Sequence, residues 1–363
     1  MSTDFRKEIR RLLNIAIEKG ASDLHLSAGY PPILRITKRL IPVEGEKELT
    51  NLESEGLAME LMTEVQRDKF LREKEADFAY ELDAGVRFRV NVFWQRGCCS
   101  AALRIISSDI KNIDDLNLPP ILHQFALAKQ GFVLITGPTS QGKSTTLAAI
   151  IDEINHQRCE HIITIEDPVE YLFKPDKCLI NQREVYRDTL SFARALKSSL
   201  REDPNVIMVG EMRDLETIST AITAAETGHL VFSTLHTNSA SQSIHRLIDV
   251  FPAHQQNQIR AQLAAVLLGV VSQRLVPRVD QGFIPACEIM FNNAAVANLI
   301  RENKVHEISS VIETSGQFGM NSLNKHLADL AASNVISPEI ALKYSLSPEE
   351  LKARLQRFNH QDF

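Results

Sequence analysis

Residues Gly137-Pro138-Thr139-Ser140-Gln141-Gly142-Lys143-Ser144, GPTSQGKS, lie between an apolar run, Phe132 to Thr136, and a helical stretch, Ser144 to Ile154. The spacing fits G-x-x-x-x-G-K-[ST], a loop that cradles nucleotide phosphates. Strand, glycine-rich loop and helix follow one another in the order that this motif requires. Backbone N–H groups and the helix N-terminus supply an anion seat. Lys143 is placed to reach the β- and γ-phosphates, and the Ser144 hydroxyl to help hold Mg²⁺, with Thr145 next in line.

Outward from this loop, HIITIED, NVIMVGE and HLVFSTLH repeat the theme of an apolar run ending in polar or acidic residues. Runs of this kind, separated by helical segments, predict a parallel sheet buried on both faces, an α/β architecture. Ligands of such sheets sit beyond the carboxyl ends of the strands. Two acidic sets fall there: Glu166-Asp167-Pro168-Val169-Glu170, and Glu211 followed by Met212, Arg213 and Asp214. One acid can organise Mg²⁺ and its water, and another can orient or deprotonate an attacking water. His229 and His236 bracket HLVFSTLH, and His236 falls at the carboxyl end, where an imidazole can sense a phosphate.

The region before this sheet has a different pattern. Phe5, Ile9, Leu12, Leu13 and Ala16 have helical spacing, with Gly20 as the stop. LHLS and ILRIT read as strands, and residues 52–74 as a helix. ADFAYEL and VRFRVNVFW read as a hairpin turning at Asp83-Ala84-Gly85, and AALRIIS as a further strand. This gives an α+β domain over 1–108, a linker over 109–120 marked by Pro119 and Pro120, and the nucleotide domain over 121–363. From about Ala297 the chain reads as helices.

Composition narrows the function. The 363 residues carry a formal net charge of −6, which argues against a nucleic-acid partner. The five cysteines include no C-x-x-C pair, so neither a zinc module nor a disulfide framework is expected, and a reducing cytoplasm is. MSTDFRKEIRRLL is too charged for a signal peptide. The longest apolar run, Leu263 to Val271, is about half of the ~20 residues that span a bilayer.

GPTSQGKSTTLAA, IITIEDPVEY, DPNVIMVGEMRDLET and TAAETGHLVFSTLHT, in this order, resemble the Walker A, Asp box, Walker B and His box of secretion-type ATPases. ASDLHLSAGYPP, RFRVNVF, CLINQREVYRDTLSFARALKSSLRED and VANLIREN extend the resemblance over nearly the full chain. The whole is similar to the retraction ATPases of type IV pili. That resemblance implies a homo-hexamer of two-domain subunits, with a PAS-like N-terminal domain and a RecA-like ATPase domain. It implies ATP and Mg²⁺ as ligands and a cytoplasmic position at the inner membrane, beneath a pilus platform protein. A paralogous accessory retraction ATPase is a further partner it allows. Lys143 and Ser144 would match the phosphate and Mg²⁺ groups, Glu170 the catalytic glutamate, Glu211 the Walker B acid, and His229 and His236 the His-box pair. Arg89 and Arg104 would be the arginines that reach a neighbour's γ-phosphate.

Two departures stand out. The family loop reads GPTGSGKS where this chain has Ser140-Gln141. If position 140 needs a positive φ, a residue with a Cβ costs about 1 kcal/mol there, and weakened nucleotide binding is expected. The family motif AIRNLIRE reads AVANLIRE here, with Ala297 in place of an arginine, which bears on coupling to retraction. Alternative outputs of the same residues are pilus assembly or secretion, and a low-turnover regulatory module.

Overall fold

A computed structural model of the protein describes residues 4–37, 39–82, 86–106 and 109–359. The chain divides into two units, Met1–Asp109 with Pro168–Leu172, and Ile110–Asp167 with Phe173–Phe363.

In the first unit the helical spacing noted above buries Ile9, Leu12, Leu13 and Ala16 on α1 (Phe5–Glu18), and Asp4 caps its start. Strands β1 (Asp23–Ser27), β2 (Ile33–Ile36) and β3 (Arg39–Pro42) follow. The stretch read as one helix is two, α2 (Asn51–Glu60) and α3 (Glu64–Glu73). The break has a local cause: Thr63 and Gln66 form a capping box, which ends one helix and starts another. Strands β4 (Glu75–Leu82), β5 (Val86–Gln95) and β6 (Cys98–Ile106) complete the unit. The turn expected at 83–85 lies outside the described residues. The six strands form one antiparallel sheet in the order β3-β2-β1-β6-β5-β4. Alternation along β5 sends Phe88, Val90 and Val92 into a core shared with α1 and with Leu57 and Phe70.

The second unit begins with the short α4 (His123–Leu127), then β7 (Gly131–Thr136) and α5 (Lys143–Gln157). Next come β8 (His161–Glu166), β9 (Leu179–Glu184), α6 (Phe192–Ser199) and β10 (Val206–Val209). They are followed by α7 (Leu215–Glu226), β11 (Leu230–Leu235), α8 (Ala240–Asp249) and α9 (Ala253–Val266). A hairpin of β12 (Leu267–Pro277) and β13 (Phe283–Phe291) closes the sheet. The helices α10 (Ala294–Arg301), α11 (Ile308–Thr314), α12 (Leu323–Ala332), α13 (Pro338–Tyr344) and α14 (Pro348–Asn359) end the chain.

The sheet order is β13-β12-β7-β11-β10-β8-β9. Every neighbouring pair from β12 to β9 is parallel, and only β13 runs antiparallel. All residues of β7, β10 and β11 are buried, as the apolar runs require of a sheet covered on both faces. Because these strands run in one direction, the loop after β7, Glu166 at the end of β8, Glu211 after β10 and His236 after β11 emerge at one edge.

Candidate nucleotide site

Three positions of the phosphate loop have positive φ: Gly137 at 143°, Ser140 at 61° and Gly142 at 79°. The condition set by the sequence for position 140 is therefore met, and a serine holds a left-handed conformation there. The turn makes Gly142 the N-cap of α5, so that Lys143 and Ser144 are its first two residues. The N-terminus of that helix therefore lies at the loop, where first-turn N–H groups can serve an anion.

Lys143 is 7% exposed. Its Nζ donates to the carbonyls of Gly137 at 2.8 Å and Pro138 at 2.9 Å. It lies 3.2 Å from His236 Nδ1. An ammonium can only donate, so this imidazole nitrogen accepts. The ring proton then belongs on Nε2, which lies 3.4 Å from Glu211 Oε1. Thr139 Oγ1 also approaches His236 Nδ1, at 3.5 Å. His236 thus bridges the lysine after β7 and the acid after β10. Arg213 donates to Glu211 Oε2 at 2.7 Å. Burial pushes the Glu211 carboxyl upward, but Arg213, with His236 beside it, outweighs this and holds it below the usual carboxylate range. Glu211 therefore presents a carboxylate.

Glu166 is buried at the end of β8, where Thr164 Oγ1 donates to it at 2.6 Å and Gln182 Nε2 at 3.2 Å. Asp167 and Glu170 are exposed. Glu170 belongs to the Pro168–Leu172 segment that groups with the first unit. His229 stands at the opposite end of β11 from His236, about 20 Å away at the rise of a strand. Its Nδ1 donates to the Ala224 carbonyl at 2.8 Å, and its own carbonyl accepts from Gly131. The chain does not bring His229 to its own phosphate loop.

Arg89 and Arg104 sit directly opposite each other on β5 and β6 of the first unit. Arg89 pairs with Asp77 at 3.0 Å and Arg104 with Asp23 at 2.9 Å. Both side chains stay open, 39% and 67% exposed. Like charges at directly opposed positions cost stability.

The sequence reading missed Gln273 on β12, which is 1% exposed. Thr146 Oγ1 donates to its Oε1 at 2.8 Å, and its Nε2 donates to the Gln141 carbonyl at 2.6 Å. The available signal was the polar Ser272-Gln273 pair inside the apolar stretch LLGVVSQRLV.

The chain matches the family model "Type II/IV secretion system protein" over residues 4–329. It is 45% identical over 348 residues to the type IV pilus retraction ATPase PilT of Pseudomonas aeruginosa, covering 94% of this chain and 99% of the relative. It is 39% identical over 356 residues to the type IV pilus ATPase PilU of the same organism, covering 98% and 93%. A crystal structure of the pilus retraction motor PilT with bound ADP superposes with a TM-score of 0.89 at 45% identity, covering 95% and 99% of the two chains. The chain belongs to the type II/IV secretion system protein family, as a relative of the pilus retraction ATPases.

Proposed function

We propose that this chain is an ATP-hydrolysing motor of type IV pilus retraction. It would work as a homo-hexamer on the cytoplasmic side of the inner membrane, against a platform protein at the pilus base. The observation that carries the reading is the contact chain Lys143–His236–Glu211, which joins three strand ends at one phosphate loop. The greater identity to PilT than to PilU supports retraction as the output and PilU-like chains as paralogues.

The residues fit a magnesium nucleotide. Ser144 offers a hydroxyl at the second residue of α5, and Glu211 offers a carboxylate held in its charged form. Both are hard oxygen donors suited to Mg²⁺. Bound there, Mg²⁺ would neutralise charge on the phosphates. Lys143 exchanges its bonds to the Gly137 and Pro138 carbonyls for phosphate oxygens. His236 loses its lysine contact in that exchange and is free to report the γ-phosphate to Glu211. Glu170 orients and deprotonates the attacking water. Arg89 and Arg104 serve the site of a neighbouring copy.

The test is ATP turnover by Glu170→Gln. General-base loss costs roughly 10²- to 10⁴-fold. Turnover should fall by at least about 100-fold with ADP affinity retained. Wild-type turnover in the variant would remove Glu170 from the mechanism.

A further inference from the structure

Strand β12 runs past the end of its neighbour. Its last residue paired with β7 is Ser272, opposite Thr136. The phosphate loop begins at the next residue of β7, and β12 continues beside it to Pro277. Gln141 occupies the place where a further strand residue would sit. Its Oε1 accepts from the backbone N–H of Leu275 at 2.7 Å, as a sheet neighbour's carbonyl would. Its own carbonyl accepts from Gln273 Nε2 at 2.6 Å. The flanking glycines pack on the same strand. A Cβ at Gly137 would lie 2.3 Å from the Gln273 carbonyl oxygen, and one at Gly142 would lie 3.2 Å from Gln273 Nε2.

We propose that Gln141 is a positioning residue of the phosphate loop. Its side chain extends the β12 ladder and so holds Ser140 in the left-handed conformation before any nucleotide arrives. This rests on the nucleotide-site reading above and adds a consequence. A serine at φ 61° is strained. If the loop were free, it would relax when empty, and binding would have to restore the strain. With Gln141 anchored, the strain is present in both states and falls on the stability of the fold instead of on affinity. The weakened binding expected from Ser140 is thereby cancelled by the residue beside it.

The experiment is a double-mutant cycle on the full-length protein, with ADP affinity as one readout and amide exchange at Leu275 without nucleotide as the other. Gln141→Ala should raise the ADP Kd about fivefold, the size expected for one hydrogen bond. Ser140→Gly alone should shift it less than about twofold, and in the Gln141→Ala background should restore most of the loss. Leu275 exchange should accelerate about tenfold in Gln141→Ala. It should stay slow in Gln141→Glu, which keeps an oxygen at the same place. Additive effects of the two substitutions, or Leu275 exchange unchanged in Gln141→Ala, would overturn the proposal. If the wild type binds no ADP, the nucleotide reading fails, and Leu275 exchange still decides the anchor.

Discussion

At Gly137 the absence of a side chain lets the loop lie on β12. The position has φ 143°, and any Cβ would overlap the Gln273 carbonyl oxygen. Gly137→Ala must therefore move either the loop or the strand. We expect a rise of at least about fivefold in the ADP Kd, since strain of this kind costs on the order of 1–3 kcal/mol. Calorimetric titration of a folded variant checks this, and wild-type affinity would contradict the packing described. Much at this scale was legible: Lys143, Ser144, Glu211 and His236 announce themselves by residue type and by position after apolar runs. Gln273 was not legible, because an amide buried in a strand looks like any interruption of an apolar run. Only the fold shows that both ends of that amide are used. His229 shows the reverse case. The family resemblance pairs it with His236, and six strand residues hold the two at opposite ends of β11.

At the scale of elements, strands followed by helices were readable from their apolar runs. The β12–β13 hairpin was not, for two physical reasons. Helix α9 passes into β12 at Leu267 with no glycine or proline between them, so LAAVLLGVV reads as one apolar run. Pro285 inside β13 argues against a strand, and it is tolerated because β13 is the sheet's edge. Strand β9 was missed because it is also an edge, with Leu179 exposed and polar residues between. A pH effect belongs to this scale. His123 at the start of α4 lies 2.8 Å from Glu153 of α5 and 3.3 Å from Asp114. The Glu153 hydrogen bond raises its pKa above the ordinary value of 6.5, against a smaller opposing effect of burial and with Asp114 assisting. A raised folded-state pKa adds stability that is complete below the unfolded value and is lost as pH rises through the folded one. Thermal unfolding should therefore show a midpoint that declines as pH rises above about 6.5, and His123→Gln should flatten that decline. An equal slope in wild type and variant would show that the contact carries no linkage.

At the scale of the whole molecule, the sequence announced two kinds of fold, and the structure has an antiparallel sheet in one unit and a parallel-sheet core in the other. Among the described residues, no helix is long and apolar enough to cross a membrane. The output proposed for this chain is pilus retraction. The altered AVANLIRE motif bears on that output. It forms α10, where Val296 and Ile300 are buried and Ala297 packs, half-buried, at the edge of the core. Ala297 thus extends the apolar face of α10, while the exposed face keeps Asn298 and Arg301.

Whether hydrolysis at this site withdraws pili is decided by counting surface pili after deleting the gene in the organism that carries it. A retraction motor gives more pili than in the wild type and loss of surface motility, with both restored by the intact gene but not by one encoding Lys143→Ala. Bald cells would contradict it, because they would make the same chemistry an assembly motor.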